Sequence, residues 1–222
     1  MDTRKYLAEL VGTFLFLTIG YASVAAAGAG SVPGLLVVPF SFGLGLLAAI
    51  FAVGHISGGH FNPAVTVAAV LDKRTDTTDA IGYILAQVIG AIGAGALVFV
   101  VAGQQAVAAG ITRPGGEVTD IGALILEIVL TAGFILVILV STKRAAGLAP
   151  LAIPLTLVAI HFGSATLSGA SVNPARSIGS ALLGNDLTGL WIYILGPIVG
   201  AVGGWALYRV LDEESVDEVV VT

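Results

Sequence analysis

The groups best supplied for chemistry in this sequence are two asparagine amides and one arginine, set in a frame that the chain writes twice. Ser57 to Val65 reads SGGHFNPAV and Ser168 to Arg176 reads SGASVNPAR, so Asn62 and Asn173 stand 111 residues apart in a shared Ser-Gly-x-x-x-Asn-Pro-Ala frame. The third residue after the asparagine differs, Val65 in the first copy and Arg176 in the second. An asparagine side chain offers an NH2 donor pair and an acceptor oxygen, and a guanidinium offers donors on a permanent charge. These groups bind, orient and repel. The sequence holds no Cys, which excludes a thiolate nucleophile, a disulfide framework and thiolate metal sites. No cluster of His and carboxylate suggests a metal, and no cofactor is expected. His161 has Ser164 and Ser168 nearby in sequence, but serine hydrolysis would give Arg176 no role, so the chain is not expected to be an enzyme.

Composition dictates what positions these groups. The chain is 57% hydrophobic and 10% charged, against about 25% charged in a soluble domain. That is the balance of a membrane protein, with lipid as its surroundings and no nucleic acid as partner. Six apolar stretches run from Tyr6 to Ala27, Gly34 to His55, Asp79 to Ala102, Ile121 to Ser141, Leu148 to Leu167 and Leu190 to Leu211. Each has about 20 residues, enough to cross a core about 30 Å thick as a helix. The first follows MDTRKY without a small-residue cleavage pattern and is expected to be a retained span. With six alternating spans, Arg4, Lys5, Lys73, Arg74, Lys143, Arg144 and Arg209 fall on one side and only Arg113 and Arg176 on the other, which predicts cytoplasmic termini. Residues 1–211 are expected to form a single integral membrane domain, and residues 212–222 an acidic cytoplasmic tail.

Two apolar stretches remain, Pro63 to Leu71 and Pro174 to Leu183, each too short to cross. Asn is a favoured N-cap and Pro a favoured first helical residue, so each reads as a half-helix starting at its Asn-Pro step. Irregular backbone at membrane depth is tolerated only where protein buries it or a watery cavity meets it. The repetition reaches further: Glu9 precedes Thr13 by four residues and Glu127 precedes Thr131 by four. Residues 6–102 and 121–211 thus correspond as three spans plus one half-helix each. Three is odd, so the second unit enters the membrane from the opposite side and the repeat is inverted. The predicted fold is all-α, six transmembrane helices plus two re-entrant half-helices whose capped N-termini meet near the midplane.

With the paired NPA boxes (Asn62, Pro63, Ala64 and Asn173, Pro174, Ala175), the Glu-x-x-x-Thr pairs and six spans, the chain resembles the aquaporin (major intrinsic protein) family over nearly its whole length. The resemblance implies a passive channel in the plasma membrane, with water as permeant and a homotetramer with one pore per subunit. It also implies an aromatic/arginine selectivity filter, which falls on Phe42, His161, Ala170 and Arg176. Glu9 and Glu127 are implied as braces of the re-entrant loops, and His60 as a residue bordering the cytoplasmic vestibule. Phe42 and His161 with a small residue and Arg176 resemble the water-selective branch, as do Ser177, Ala181 and Tyr193, whereas Ile194 departs from the Trp common there.

The physics agrees with that implication. Water crossing hydrocarbon must exchange its hydrogen bonds for protein ones, and the Asn62 and Asn173 amides offer donors at one point. Two half-helix N-termini, each worth roughly +0.5 charge, raise the potential there against cations. A glycerol or small neutral solute facilitator is the alternative within the family. A secondary transporter would need ionisable groups at the midplane, where this chain places amides.

Overall fold

Lipid offers no partner to backbone polar groups, so apolar spans satisfy them internally as helices. The computed structural model describes residues 3–30 and 33–212, and every regular element in it is helical. The first unit comprises α1 (Arg4–Gly28), α2 (Gly34–Ala49) extended by a π-helical turn (Ile50–Gly54) into α3 (His55–Ser57), the half-helix α4 (Pro63–Leu71) and α5 (Thr77–Ala102). A five-residue helix, α6 (Gln104–Ala108), leads to the second unit. That unit comprises α7 (Asp120–Arg144), α8 (Ala149–Ser164), the half-helix α9 (Pro174–Gly184) and α10 (Leu190–Leu211). Among the described residues, five helical segments are long and apolar enough to cross a membrane.

The remaining span, α8, is shorter than expected. It has 16 residues and stops at Ser164 where the apolar run continued to Leu167. The cause is the turn that follows: the Ser168 hydroxyl donates to Glu127 Oε1 at 2.8 Å, drawing the chain off the helix axis into the re-entrant loop. The helix α6 was not foreseen; Gly103, at φ +86°, breaks the chain between α5 and α6. Of the acidic tail, residues 213–222 lie outside the described residues.

Packing exchanges elements between the units. Helix α1 packs on α5 and α7 on α10, while α2 packs on α8 across the molecule. Each half-helix lies against the last span of the other unit, α4 on α10 and α9 on α5. Matching glycines permit the two within-unit contacts. A Cβ at Gly90 would lie 2.5 Å from the Leu10 carbonyl, and one at Gly200 would lie 2.5 Å from that of Ile128, closer than real Cβ atoms come. Such small-residue contacts are how membrane helices approach closely when no hydrophobic gain drives them together.

Contacts gather the basic ends of the helices on one face. Lys5 and Tyr6 bond Asp79, the latter at 2.8 Å; Arg74 reaches Thr142 at 2.6 Å; Lys143 and Arg144 each bond Asp212 at 2.6 Å. At the far end Arg113 pairs with Asp186 at 2.7 Å.

Candidate functional site

Each half-helix begins as its sequence demands. Asn62 and Asn173 adopt extended backbone and cap their helices: Asn62 Oδ1 accepts from the Ala64 N–H at 2.9 Å, and Asn173 Oδ1 from the Arg176 N–H at 3.3 Å. Pro63 and Pro174 follow as first helical residues, where a missing N–H costs nothing. All six residues of the two boxes are buried.

The residue before each asparagine is forced into the left-handed region, Phe61 at φ +49° and Val172 at φ +44°. For a β-branched residue this is a strained conformation, costing about 1–3 kcal/mol. Two buried glutamates hold it. Glu9 accepts from the Ser57 hydroxyl (2.6 Å), the His60 N–H (2.9 Å) and the Phe61 N–H (2.7 Å). Glu127 accepts from Ser168 (2.8 Å), the Ser171 N–H (2.9 Å) and the Val172 N–H (2.8 Å). The strained residues in turn aim their carbonyls across the molecule: Asn62 Nδ2 donates to Val172 O at 2.8 Å and Asn173 Nδ2 to Phe61 O at 3.0 Å. An amide nitrogen has two hydrogens, so each asparagine has one N–H committed to the opposite loop and one left to offer a permeant.

A cavity of about 290 Å³ passes these amides, far more than the about 10–15 Å³ that one water needs. Toward the basic face its lining is mostly apolar, with Leu46, Val65, Ile138 and Ile153 alongside Arg74 and Thr142. His60 lies on the lining, its Nδ1 3.1 Å from Thr66 Oγ1 and its ring edge-on to Tyr83.

Phe42, His161 and Arg176 bound the other end. The Phe42 and His161 rings stack with centroids 4.5 Å apart, and the guanidinium lies 5.2 Å from the Phe42 centroid. A Cβ at Gly20 would fall 2.6 Å from the Phe42 ring, so only glycine admits this placement. Arg176 is 5% exposed; its Nη1 donates to Gly110 O at 2.6 Å and its own carbonyl accepts from the Tyr21 hydroxyl. His161 Nδ1 donates to Leu157 O at 2.9 Å, which in a neutral ring leaves Nε2 as an acceptor. Neither Nε2 of His161 nor Nε of Arg176 has a partner among the described residues. One acceptor and one donor thus stand at this end of the cavity. Ala170 is fully buried at φ +49° and lies off the cavity lining.

Glu9 and Glu127 sit behind the lining as supports. Sequence reasoning missed Gln87, whose Nε2 donates to Glu9 at 2.7 Å and to Thr66 at 2.9 Å. A lone amide inside the apolar run of α5 was the available signal. It also missed Tyr21 and Gly110, which no motif marks.

A polar file through an all-helical bundle, entered by two half-helices from opposite ends, defines a membrane channel. A sequence model of the major intrinsic protein family matches residues 1–208, and the chain belongs to that family, one of multi-pass membrane transport proteins and not of enzymes. It is 42% identical to an aquaporin Z of Rhodopseudomonas palustris over 96% of this chain and 95% of that one. A glycerol uptake facilitator protein-like 6 of Lactiplantibacillus plantarum is 44% identical, over 96% of this chain and 100% of that one. Among solved structures, the aquaglyceroporin of Plasmodium falciparum superposes with a TM-score of 0.86 over 94% of this chain and 96% of that one, at 22% identity, a likeness of fold.

Proposed function

We propose that this chain is a passive water channel that conducts water in single file and excludes protons and ions. The observation that carries the reading is the Asn62 and Asn173 pair, each with one N–H spent across the molecule and one left over on a cavity that Phe42, His161 and Arg176 also line. A water at the pair accepts two donors through its oxygen, so both of its hydrogens point along the pore and the hydrogen-bonded wire a proton would follow is interrupted there. The positive ends of α4 and α9 raise the potential at the same point. Arg176 adds a fixed charge beside the stacked Phe42 and His161 rings, and these three are read as the constriction. Ala170, off the cavity lining, is read as the small fourth member of this filter from the family resemblance alone. The relatives named aquaporin Z support the water reading.

Glycerol facilitation is the second reading, favoured by the relative of that name; two bulky rings beside the arginine argue against it. The basic face is read as cytoplasmic, with both termini there, the plasma membrane as the site of action and a homotetramer as the assembly. Stopped-flow light scattering of proteoliposomes under sucrose and glycerol gradients tests this. Expected are fast osmotic water flux with a low activation energy and slow glycerol entry. Water flux equal to that of empty vesicles would overturn the channel, and glycerol entry as fast as water would overturn the filter.

A further inference from the structure

We propose that Thr112, in the outer loop of residues 109–119, is a positioning residue for selectivity: through Ser177 and Ser171 it anchors the turn that carries both Asn173 and Arg176. The inference rests on the water-channel reading and names a part of its filter support.

The anchor is a buried chain of hydroxyls. Thr112 Oγ1 lies 2.8 Å from Ser177 Oγ, which lies 2.6 Å from Ser171 Oγ; Ser171 Oγ donates to Asn173 O at 3.0 Å and accepts from the Asn173 N–H at 3.3 Å. A carbonyl only accepts, so the hydroxyl hydrogens run in one direction, Thr112 to Ser177, Ser177 to Ser171, Ser171 to Asn173. All three residues are at most 3% exposed. Buried hydroxyls cost free energy unless bonded, and here every one is bonded. Ser177 directly follows Arg176, and Thr112 follows by two the Gly110 whose carbonyl holds the guanidinium at 2.6 Å. The loop therefore grips one turn of α9 at two points, by a side chain and by a backbone carbonyl.

The first unit shows what the third member of this chain is for. His60 and Thr66 occupy the places of Ser171 and Ser177, bonded at 3.1 Å, with the Thr66 hydroxyl donating to Asn62 O at 3.1 Å. Their third partner is Gln87, at 2.9 Å, on the transmembrane helix α5. In the second unit the third partner comes from a loop. The charged constriction is thus referred to a surface segment where the apolar half of the pore is referred to a membrane-embedded helix.

The test compares the parent, Thr112→Val, Ser177→Ala, the double variant and Thr112→Ser in proteoliposomes, reading the ratio of glycerol to water permeability. Thr112→Val and Ser177→Ala should each raise the ratio about three- to tenfold, the worth of one buried hydrogen bond. The double variant should go no further, because both changes cut one chain, and Thr112→Ser, which keeps the hydroxyl, should match the parent. The proposal is overturned by an unchanged ratio in the folded single variants, by water and glycerol falling together with the ratio intact, or by effects that multiply in the double variant. Should Thr112→Val not yield monodisperse protein, Ser177→Ala against Thr112→Ser decides. A parent that conducts no water sinks the underlying reading; a selective parent with unaltered variants sinks only the anchor.

Discussion

The two re-entrant turns share one construction as far as their asparagines and part immediately afterwards. Up to that point they share one set of bonds, to which the first unit adds Gln87 on Glu9: a buried glutamate gathers a serine hydroxyl and two successive N–H groups, a left-handed residue turns its carbonyl outward, and the opposite asparagine takes it. Three residues on, one turn places Val65 against the cavity and the other places Arg176. The symmetric part concerns backbone, since two amides can present one N–H each only if both loops hold an identical strained shape. The asymmetric part concerns side chains. A single constriction is enough to select, and a second in series would add resistance without adding discrimination.

The comparison breaks first if the glutamates are not equivalent. Replacing Glu127 by Ala strands three buried donors and replacing Glu9 strands those of Ser57, His60, Phe61 and Gln87. At about 1–3 kcal/mol each, that rivals the about 5–15 kcal/mol by which proteins are stable at all. Both variants should yield little monodisperse oligomer in detergent, with thermal scans of the remainder showing a large loss; a well-folded Glu9→Ala would show that the first loop is held otherwise. Next in size are Asn62→Asp and Asn173→Asp. A carboxylate would face the opposite carbonyl with no hydrogen to give and would partly cancel the positive field of the half-helices. Water permeability should fall about tenfold in each, equally in both, by stopped-flow measurement. A tenfold loss in one with none in the other would end the equivalence.

The unequal part is tested by size and charge. Phe42→Ala with His161→Ala should admit glycerol while water flux persists, because the asparagines are untouched. Arg176→Val should raise cation leak more than glycerol entry, since the rings remain. Val65→Ala, at the position that answers to Arg176 in the first unit, should change neither glycerol entry nor cation leak. Glycerol exclusion that survives the double variant would move the constriction to the asparagine pair.

How much of this was legible in the sequence follows from how local each cause is. The half-helices are announced by Asn-Pro, which acts on its own neighbours, and α4 runs over Pro63–Leu71 as read. Glu9 and Glu127 stood out as the repeated Glu-x-x-x-Thr pairs, and the family resemblance implied them as braces, although which donors they gather depends on the folded loops. Phe42 and His161 carry no local mark; the family resemblance located them. What escaped are contacts that only tertiary structure creates: the Gly110 carbonyl under Arg176, the Tyr21 hydroxyl, and the early end of α8, set by a bond from Ser168 to a helix 41 residues away.

The smallest effect sits off the cavity lining, where two helices of the second unit are clasped on the basic face. Asp212, just past α10, accepts from Lys143 at 2.6 Å and from Arg144 at 2.9 and 2.6 Å, joining the ends of α7 and α10. The Lys143 ammonium first, and the Arg144 guanidinium after it, hold its carboxyl below the usual carboxylate range, against the opposing pull of partial burial. A carboxyl whose folded pKa is depressed adds stability above its unfolded pKa, and loses it as pH falls through the folded value. Asp212→Asn should therefore lower the thermal midpoint slightly at neutral pH, and the gap between parent and variant should close in acid. Salt should shrink the same gap, because the cations are largely exposed and screened. A gap that is constant from neutral pH to well below the usual carboxylate range would mean that the clasp acts by packing, without help from its charges. Water permeability should be the same in both proteins, since no atom of the clasp lines the cavity.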